Sequence, residues 1–201
     1  LPIFCRGRIF DVVEKDCGQY DTVTEVMWVT GAALFIRLAD YREVGGLDGH
    51  FFAHMEEIDL CWRLRSRGKK LVCIPQSVVY HVGGATLKKE NPRKTFLNFR
   101  NNLLMLYKNL PDKELEHVLF IRGILDRVAA LVFYLKKDRA NARAVMQARR
   151  EFEDIRYSFA ASRIENMMKS TDEIIPERTH FSIVMKYYLL GKKHFSQLKL
   201  F

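Results

Sequence analysis

The chain lacks any stretch of about twenty uncharged apolar residues, which excludes an evident membrane-spanning helix. Its most apolar run, Val118 to Leu135, is broken by Arg122, Asp126 and Arg127. A basic start leading into an apolar core, the mark of a secretory signal, is also missing. Cysteine is scarce: Cys5, Cys17, Cys61 and Cys73 form no C-x-x-C pair. Three of the four sit among apolar or aromatic neighbours. That favours reduced thiols in a cytoplasmic protein over a disulfide framework or a zinc site. No Asp-x-Asp occurs, no repeat or low-complexity linker interrupts the chain, and no initiator Met opens it at Leu1. The sequence therefore reads as a piece of a longer protein.

What is present is enough for a real core. With 201 residues, 48% of them hydrophobic, the chain can build one domain or two small ones. Its net charge of +9 is unevenly spread. Residues 1–80 carry 10 Lys and Arg against 11 Asp and Glu, whereas residues 81–201 carry 23 against 13. A basic half suits an anionic membrane surface, a phosphorylated substrate or nucleic acid, unless it is simply a solvated helical surface. No nucleic-acid motif accompanies the charge, so nucleic acid is not expected as a partner.

The pattern of apolar residues divides the chain in the same place. Residues 1–110 alternate strand-like and helix-like segments, whereas residues 111–201 read as helix only. Val26 to Arg37 predicts a strand with a bend at Gly31, and Asp40 to Val44 a short helix stopped by Gly45-Gly46. Glu56 to Arg67 has acids in its first turn, bases in its last and Gly68 beyond, which predicts a helix with both ends complemented. Lys70 to Ile74 and Ser77 to Val82 read as short strands around Pro75. Phe96, Phe99, Leu103, Leu106 and Leu110 make one apolar stripe on a helix that Pro111 stops. Further helices are expected over Glu114 to Lys137, Ala140 to about Met168, and Phe181 to Leu190.

Three pieces then stand in a row: Thr30-Gly31-Ala32-Ala33-Leu34-Phe35-Ile36-Arg37, Gly45-Gly46-Leu47-Asp48-Gly49-His50-Phe51-Phe52, and Glu56-Glu57-Ile58-Asp59-Leu60-Cys61-Trp62-Arg63. Tyr80-His81-Val82-Gly83-Gly84 and Arg100-Asn101-Asn102-Leu103 follow. Over residues 28–110 this order resembles the second half of family 2 glycosyltransferases, especially the bacterial rhamnosyltransferase-like branch. The resemblance implies an α/β class: the C-terminal, acceptor-side part of a GT-A nucleotide-diphospho-sugar transferase fold, followed by an all-α tail. Two departures stand out. Glu57 occupies a place usually held by Asp, and Leu47-Asp48-Gly49 replaces a common Phe-Asp-Glu. The family's Asp-x-Asp metal motif is absent, as is its nucleotide-binding half, so the chain alone is expected to be inactive.

An inverting transfer needs a base for the acceptor hydroxyl and a divalent cation for the departing diphosphate. Glu56, Glu57 and Asp59 crowd three carboxylates into one helical turn, and Arg63 lies four residues beyond Asp59 on the same face, where the two should pair. That leaves Glu56 and Glu57 as candidate bases and Asp59 as an orienting residue; the resemblance points to Glu57. It also places Gly31, Asp48, Phe52, Trp62 and Arg63 at the acceptor site. From the residues alone, Phe52 is equally a loop anchor, and Trp62 reads more simply as core. His81 is, by resemblance, a ligand for Mg²⁺ or Mn²⁺, although one histidine cannot hold a hard cation by itself. Lys88, Lys89, Arg93 and Lys94 would meet a diphosphate or an anionic lipid headgroup, or form a solvated basic loop.

The implied partners are a nucleotide-sugar donor and a glycan or lipid-linked acceptor. The basic tail offers either a peripheral contact with the inner face of the cytoplasmic membrane or a homo-oligomer interface. A metal hydrolase built on Glu56, Glu57, Asp59 and His81 is the rival enzyme, and it lacks a second histidine at ligand spacing.

Overall fold

The computed structural model describes residues 4–81, 91–171, 175–179 and 181–198. The chain forms two compact units, and neither is a continuous segment. One gathers Leu1–Val26, Val72–Val78 and Pro176–Phe201; the other gathers Met27–Leu71 and Val79–Ile175. The expected boundary between residues 110 and 111 falls inside the second unit.

The first unit is built on short antiparallel pairs. β1 (Arg8–Ile9) pairs with β2 (Val12–Val13), and β3 (Thr24–Glu25) pairs with β4 (Val72–Cys73). Its core joins the two ends of the chain: Ile9 packs with Ile183, Phe195 and Leu198, ringed by Phe4, Phe10, Tyr20, Phe181 and Tyr187. Glu14 supports this closure by accepting hydrogen bonds from the Ser196 hydroxyl (2.6 Å) and the Tyr20 hydroxyl. The helix expected over Phe181 to Leu190 contracts to a π-helical turn at Met185–Leu189.

The second unit is helical among its described residues: α1 (Leu38–Glu43), α2 (Glu56–Ser66), α3 (Pro92–Asn109), α4 (Asp112–Leu135), α5 (Arg139–Ile155) and α6 (Ala160–Lys169). α3 starts where Asn91 caps the Arg93 N–H at 2.9 Å with Pro92 in the first turn, a position where the missing proline N–H costs nothing. It packs most extensively on α5 and also meets α2, α4 and α6. From Asn101 to Leu110 every residue of this stretch is buried, so the helix is a central post rather than the one-sided stripe expected. Fully burying leucines such as Leu103, Leu104 and Leu106 contributes about 1.5–3 kcal/mol each.

Other expectations change in detail. No strand forms over Val26 to Arg37 beyond the point where β3 ends; Thr30 instead caps a 3-10 turn, Gly31–Ala33. The segment is a loop instead, in which Leu34 and Ile36 cover the cluster of Val44, Leu60 and Leu64. The strand expected over Lys70 to Ile74 shortens to β4, and residues 77–81 of the other expected strand are irregular; Val82 lies outside the described residues. The single helix expected from Ala140 to about Met168 breaks at a 3-10 turn, Arg156–Phe159, into α5 and α6. The stop after α1 is as anticipated: Gly45 and Gly46 take φ of 82° and 67°. A Cβ at Gly46 would come within 2.9 Å of the Tyr41 ring.

Candidate functional site

Glu56, Glu57 and Asp59 share the first turn of α2. Met55 begins this helix in the left-handed region (φ 76°) with no side-chain cap, so its first-turn N–H groups present a positive end to Glu56, Glu57 and Asp59. Just ahead, Phe52 and His54 also take positive φ, 61° and 70°. Three non-glycine residues in that region within four positions mark a loop held in costly geometry.

What holds the loop is α3. Asn101 is fully buried, and its Nδ2 donates to the carbonyls of Phe51 (2.8 Å), Ala53 (2.8 Å) and His54 (2.9 Å). Arg100 continues the clamp, donating to Asn101 Oδ1 at 3.0 Å, to the His50 carbonyl at 3.0 Å and to Glu151 at 2.7 Å. The Arg100-Asn101 pair stood out in the sequence without a role that could be read there. Its partners lie about fifty positions away, beyond any local pattern.

Asp59 lies at the centre of the second network. It is wholly buried, and both oxygens are occupied: Arg63 Nε donates at 2.9 Å, Lys108 Nζ at 3.0 Å and Asn109 Nδ2 at 2.7 Å. The expected Asp59–Arg63 pair is present. Arg63 also donates to the carbonyls of Val44 and of Gly46 (2.7 Å), so its guanidinium fastens the Gly45-Gly46 turn to α2. Lys108 bridges onward to Asp48 at 2.7 Å. Burial raises the Asp48 pKa, but the Lys108 bond and charge outweigh it, with help from His50, and the carboxyl settles at about 2. Asp48 thus stays ionised and caps the Gly49–Phe51 turn through the His50 N–H at 3.0 Å. Trp62 and Arg63, expected at the acceptor surface, are only 7% and 5% exposed; the structure puts them in the interior. Sequence reading missed Lys108 and Asn109 because a lysine and an asparagine near a helix end carry no signal of a partner on another helix.

Glu56 and Glu57 differ from Asp59. Each is half-buried with one oxygen, Oε2, shielded from solvent and without a hydrogen-bond partner among the described residues. Burial pushes the Glu57 pKa above the ordinary carboxylate value; its own backbone N–H works against this, and Glu56 adds to it through charge and side-chain contact. Gly31 lies alongside, where a Cβ would sit 3.8 Å from Glu57 Cβ. Across the turn, His54 Nε2 is another buried atom without a partner among the described residues. Its pKa is lowered by burial and by the Lys94 charge, against the pull of Glu56. A carboxyl of raised pKa with a shielded oxygen at a helix N-terminus is chemistry suited to accepting a proton.

Phe52 is exposed, with the Arg93 guanidinium 5.3 Å from its ring centroid. His81 is exposed at the edge of the described residues; Gly83, Gly84, Lys88 and Lys89 lie outside them. Among the described residues no three His, Cys, Asp or Glu side chains come together to hold a metal ion. His81 by itself does not make a Mg²⁺ or Mn²⁺ site.

No protein-family model and no solved structure matches the chain. Curated proteins do. The Escherichia coli K12 protein "Rhamnosyltransferase WbbL" is 33% identical over 69 residues, covering 34% of this chain and 25% of that protein. A Mycobacterium tuberculosis "Pre-mycofactocin glycosyltransferase" is 31% identical over 141 residues, 65% of this chain and 29% of that protein. From the same species, "N-acetylglucosaminyl-diphospho-decaprenol L-rhamnosyltransferase" is 38% identical over 56 residues, 28% of this chain and 18% of that protein. These relatives are glycosyltransferases. The chain spans less than a third of the length of each glycosyltransferase it matches, and two of the three are rhamnosyltransferases by name, in line with the resemblance read from its motifs.

Proposed function

We propose that this chain supplies the acceptor side and the general base of an inverting sugar transfer, within a GT-A fold of the family 2 type. The donor is a nucleotide-diphosphate sugar, and the acceptor is a hydroxyl of a glycan or lipid-linked glycan. The observation that carries the reading is Glu57: a half-buried carboxyl of raised pKa with an unpartnered oxygen among the described residues, beside Gly31 at the head of α2. The names of the matched relatives support the transferase class, and one of them names a diphospho-decaprenol acceptor.

In this proposal Glu57 takes the proton from the acceptor hydroxyl as its oxygen bonds to the anomeric carbon. The bond from that carbon to the diphosphate breaks on the opposite side, and the electron pair leaves with the nucleoside diphosphate. Burial helps because a carboxylate stripped of water is a stronger base. Asp59, locked by Arg63, Lys108 and Asn109, holds the first turn of α2 in place and takes no proton. The loop that carries Phe52 offers an exposed ring to a sugar face. Mg²⁺ or Mn²⁺, when bound, would neutralise the departing diphosphate, and His81 would be one of its ligands.

The test is turnover and donor affinity in the intact enzyme for three variants. Glu57→Gln keeps the shape and removes the base, and turnover should fall by roughly 10²–10⁴ with donor affinity unchanged. Glu56→Gln should lose less, and His81→Ala should weaken cation-dependent donor binding together with turnover. Collapse in Glu56→Gln with near-normal Glu57→Gln moves the base one residue; normal turnover in both removes it.

A further inference from the structure

α4 is built inside out. Its buried face carries Leu115, Leu119, Arg122, Asp126 and Ala130, at spacings of three and four that place them on one side of the helix. The two charges on that face are paired within the fold: Asp126 lies 2.8 Å from Arg122 and 2.9 Å from Arg149 of α5. The opposite side carries Phe120, Ile124, Val128, Leu131 and Leu135, at the same spacings. Each is at least half exposed, up to 70% for Phe120 and Leu135. The stripe runs about 22 Å along the helix. An exposed apolar band of this length is uncommon on a soluble surface and marks a contact.

The neighbouring surface says what kind of contact. α5 runs beside the second half of α4, and the open groove between them, about 1020 Å³, is lined by Leu131, Tyr134 and Met146 together with Arg139, Arg143 and Arg150. Arg139 lies over the Tyr134 ring at 5.8 Å. Arg143 and Arg150 make no ion pair among the described residues. Lys136 and Lys137 are exposed at the turn between the helices. The acids of the groove are Glu151, which is engaged by Arg100 at 2.7 Å, and Asp154. A further exposed acid, Glu153, is paired with Arg156. The apolar stripe is therefore rimmed by uncommitted positive charge.

We infer that the outward face of α4, with the α5 arginines beside it, docks on an anionic phospholipid bilayer. No described helix is long and apolar enough to cross a membrane. α4 instead lies in the plane of the headgroups, its stripe entering the acyl boundary while the arginines meet lipid phosphates. The inference rests on this surface alone and stands apart from the assignment of Glu57.

The experiment is flotation of the full chain with vesicles of phosphatidylglycerol and phosphatidylcholine against vesicles of phosphatidylcholine only, at low and high salt. The expected result is strong enrichment on the anionic vesicles, reduced by salt. Ile124→Ser/Leu131→Ser should abolish it, and Arg139→Glu/Arg143→Glu should lower it by about tenfold or more. All four positions are exposed, and a circular-dichroism melt confirms that each variant keeps its fold. Equal flotation on both vesicle types, or unchanged flotation of either double variant, overturns the inference. So does a wild-type dimer that Ile124→Ser/Leu131→Ser dissociates in the absence of vesicle binding, which would assign the stripe to a second copy of the chain.

Discussion

The Asn101 clamp offers the sharpest test of how this fold holds its site. The amide carries two N–H groups and serves three carbonyls of the Phe51–His54 stretch, so one hydrogen is shared. Asn101→Ala removes about two net hydrogen bonds and strands carbonyls in a buried place, which costs about 2–4 kcal/mol in total. Phe52, His54 and Met55 sit at positive φ, each disfavoured by about 1–3 kcal/mol. The released loop should therefore relax as well as weaken. Asn101→Asp is isosteric but turns an acceptor oxygen toward those carbonyls, and it should be worse than alanine. Urea unfolding followed by circular dichroism measures the stability. Turnover of the proposed sugar transfer, measured well below the unfolding midpoint, reports the loop. If Asn101→Ala costs less than about 0.5 kcal/mol, or Asn101→Asp is as stable as the native chain, the clamp is not what holds the strained geometry.

Other outcomes follow from the same contacts. The raised folded pKa of Glu57 means that its protonated form suits the fold. Its contribution is intact below the unfolded carboxyl value and is lost as pH rises through the folded one. Glu57→Gln should therefore raise the melting temperature at neutral pH, with the gain vanishing toward acid; a pH series of melts decides it. Lys108→Met takes one of three partners from the fully buried Asp59 and should cost about 3 kcal/mol in a urea titration, since a buried charge is left short of compensation. A chain ended after residue 110 should fail to give a soluble, cooperatively melting monomer. It exposes the buried half of α3 and removes Ile183, Phe195 and Leu198 from around Ile9. Size-exclusion chromatography and a thermal melt would show otherwise if residues 111–201 are a separate module.

The sequence alone determined what depends on neighbours a few positions apart. The 3.6-residue period, Gly45-Gly46 and Gly68 at helix ends, and Pro111 after the apolar stripe placed α1 to α4 and the start of α5 nearly where they lie. The four-residue step from Asp59 to Arg63 foretold their ion pair, because on a helix that step alone sets the distance. The order of the short motifs pointed to the glycosyltransferases that the chain matches. Tertiary structure decided what depends on distant partners. β-branched residues around Gly31 signal a strand only if an edge waits to pair with them, and here the segment is a loop whose Leu34 and Ile36 pack on Val44, Leu60 and Leu64. Asn101, Lys108 and Asn109 look like ordinary polar residues of a helix until α3 is buried on all sides and their targets, fifty positions away, come within hydrogen-bond reach. The same burial separates the three carboxylates at the head of α2. Asp59 is engaged on both oxygens by Arg63 of α2 and by Lys108 and Asn109 of α3, whereas Glu57 keeps an oxygen free of described partners and a raised pKa.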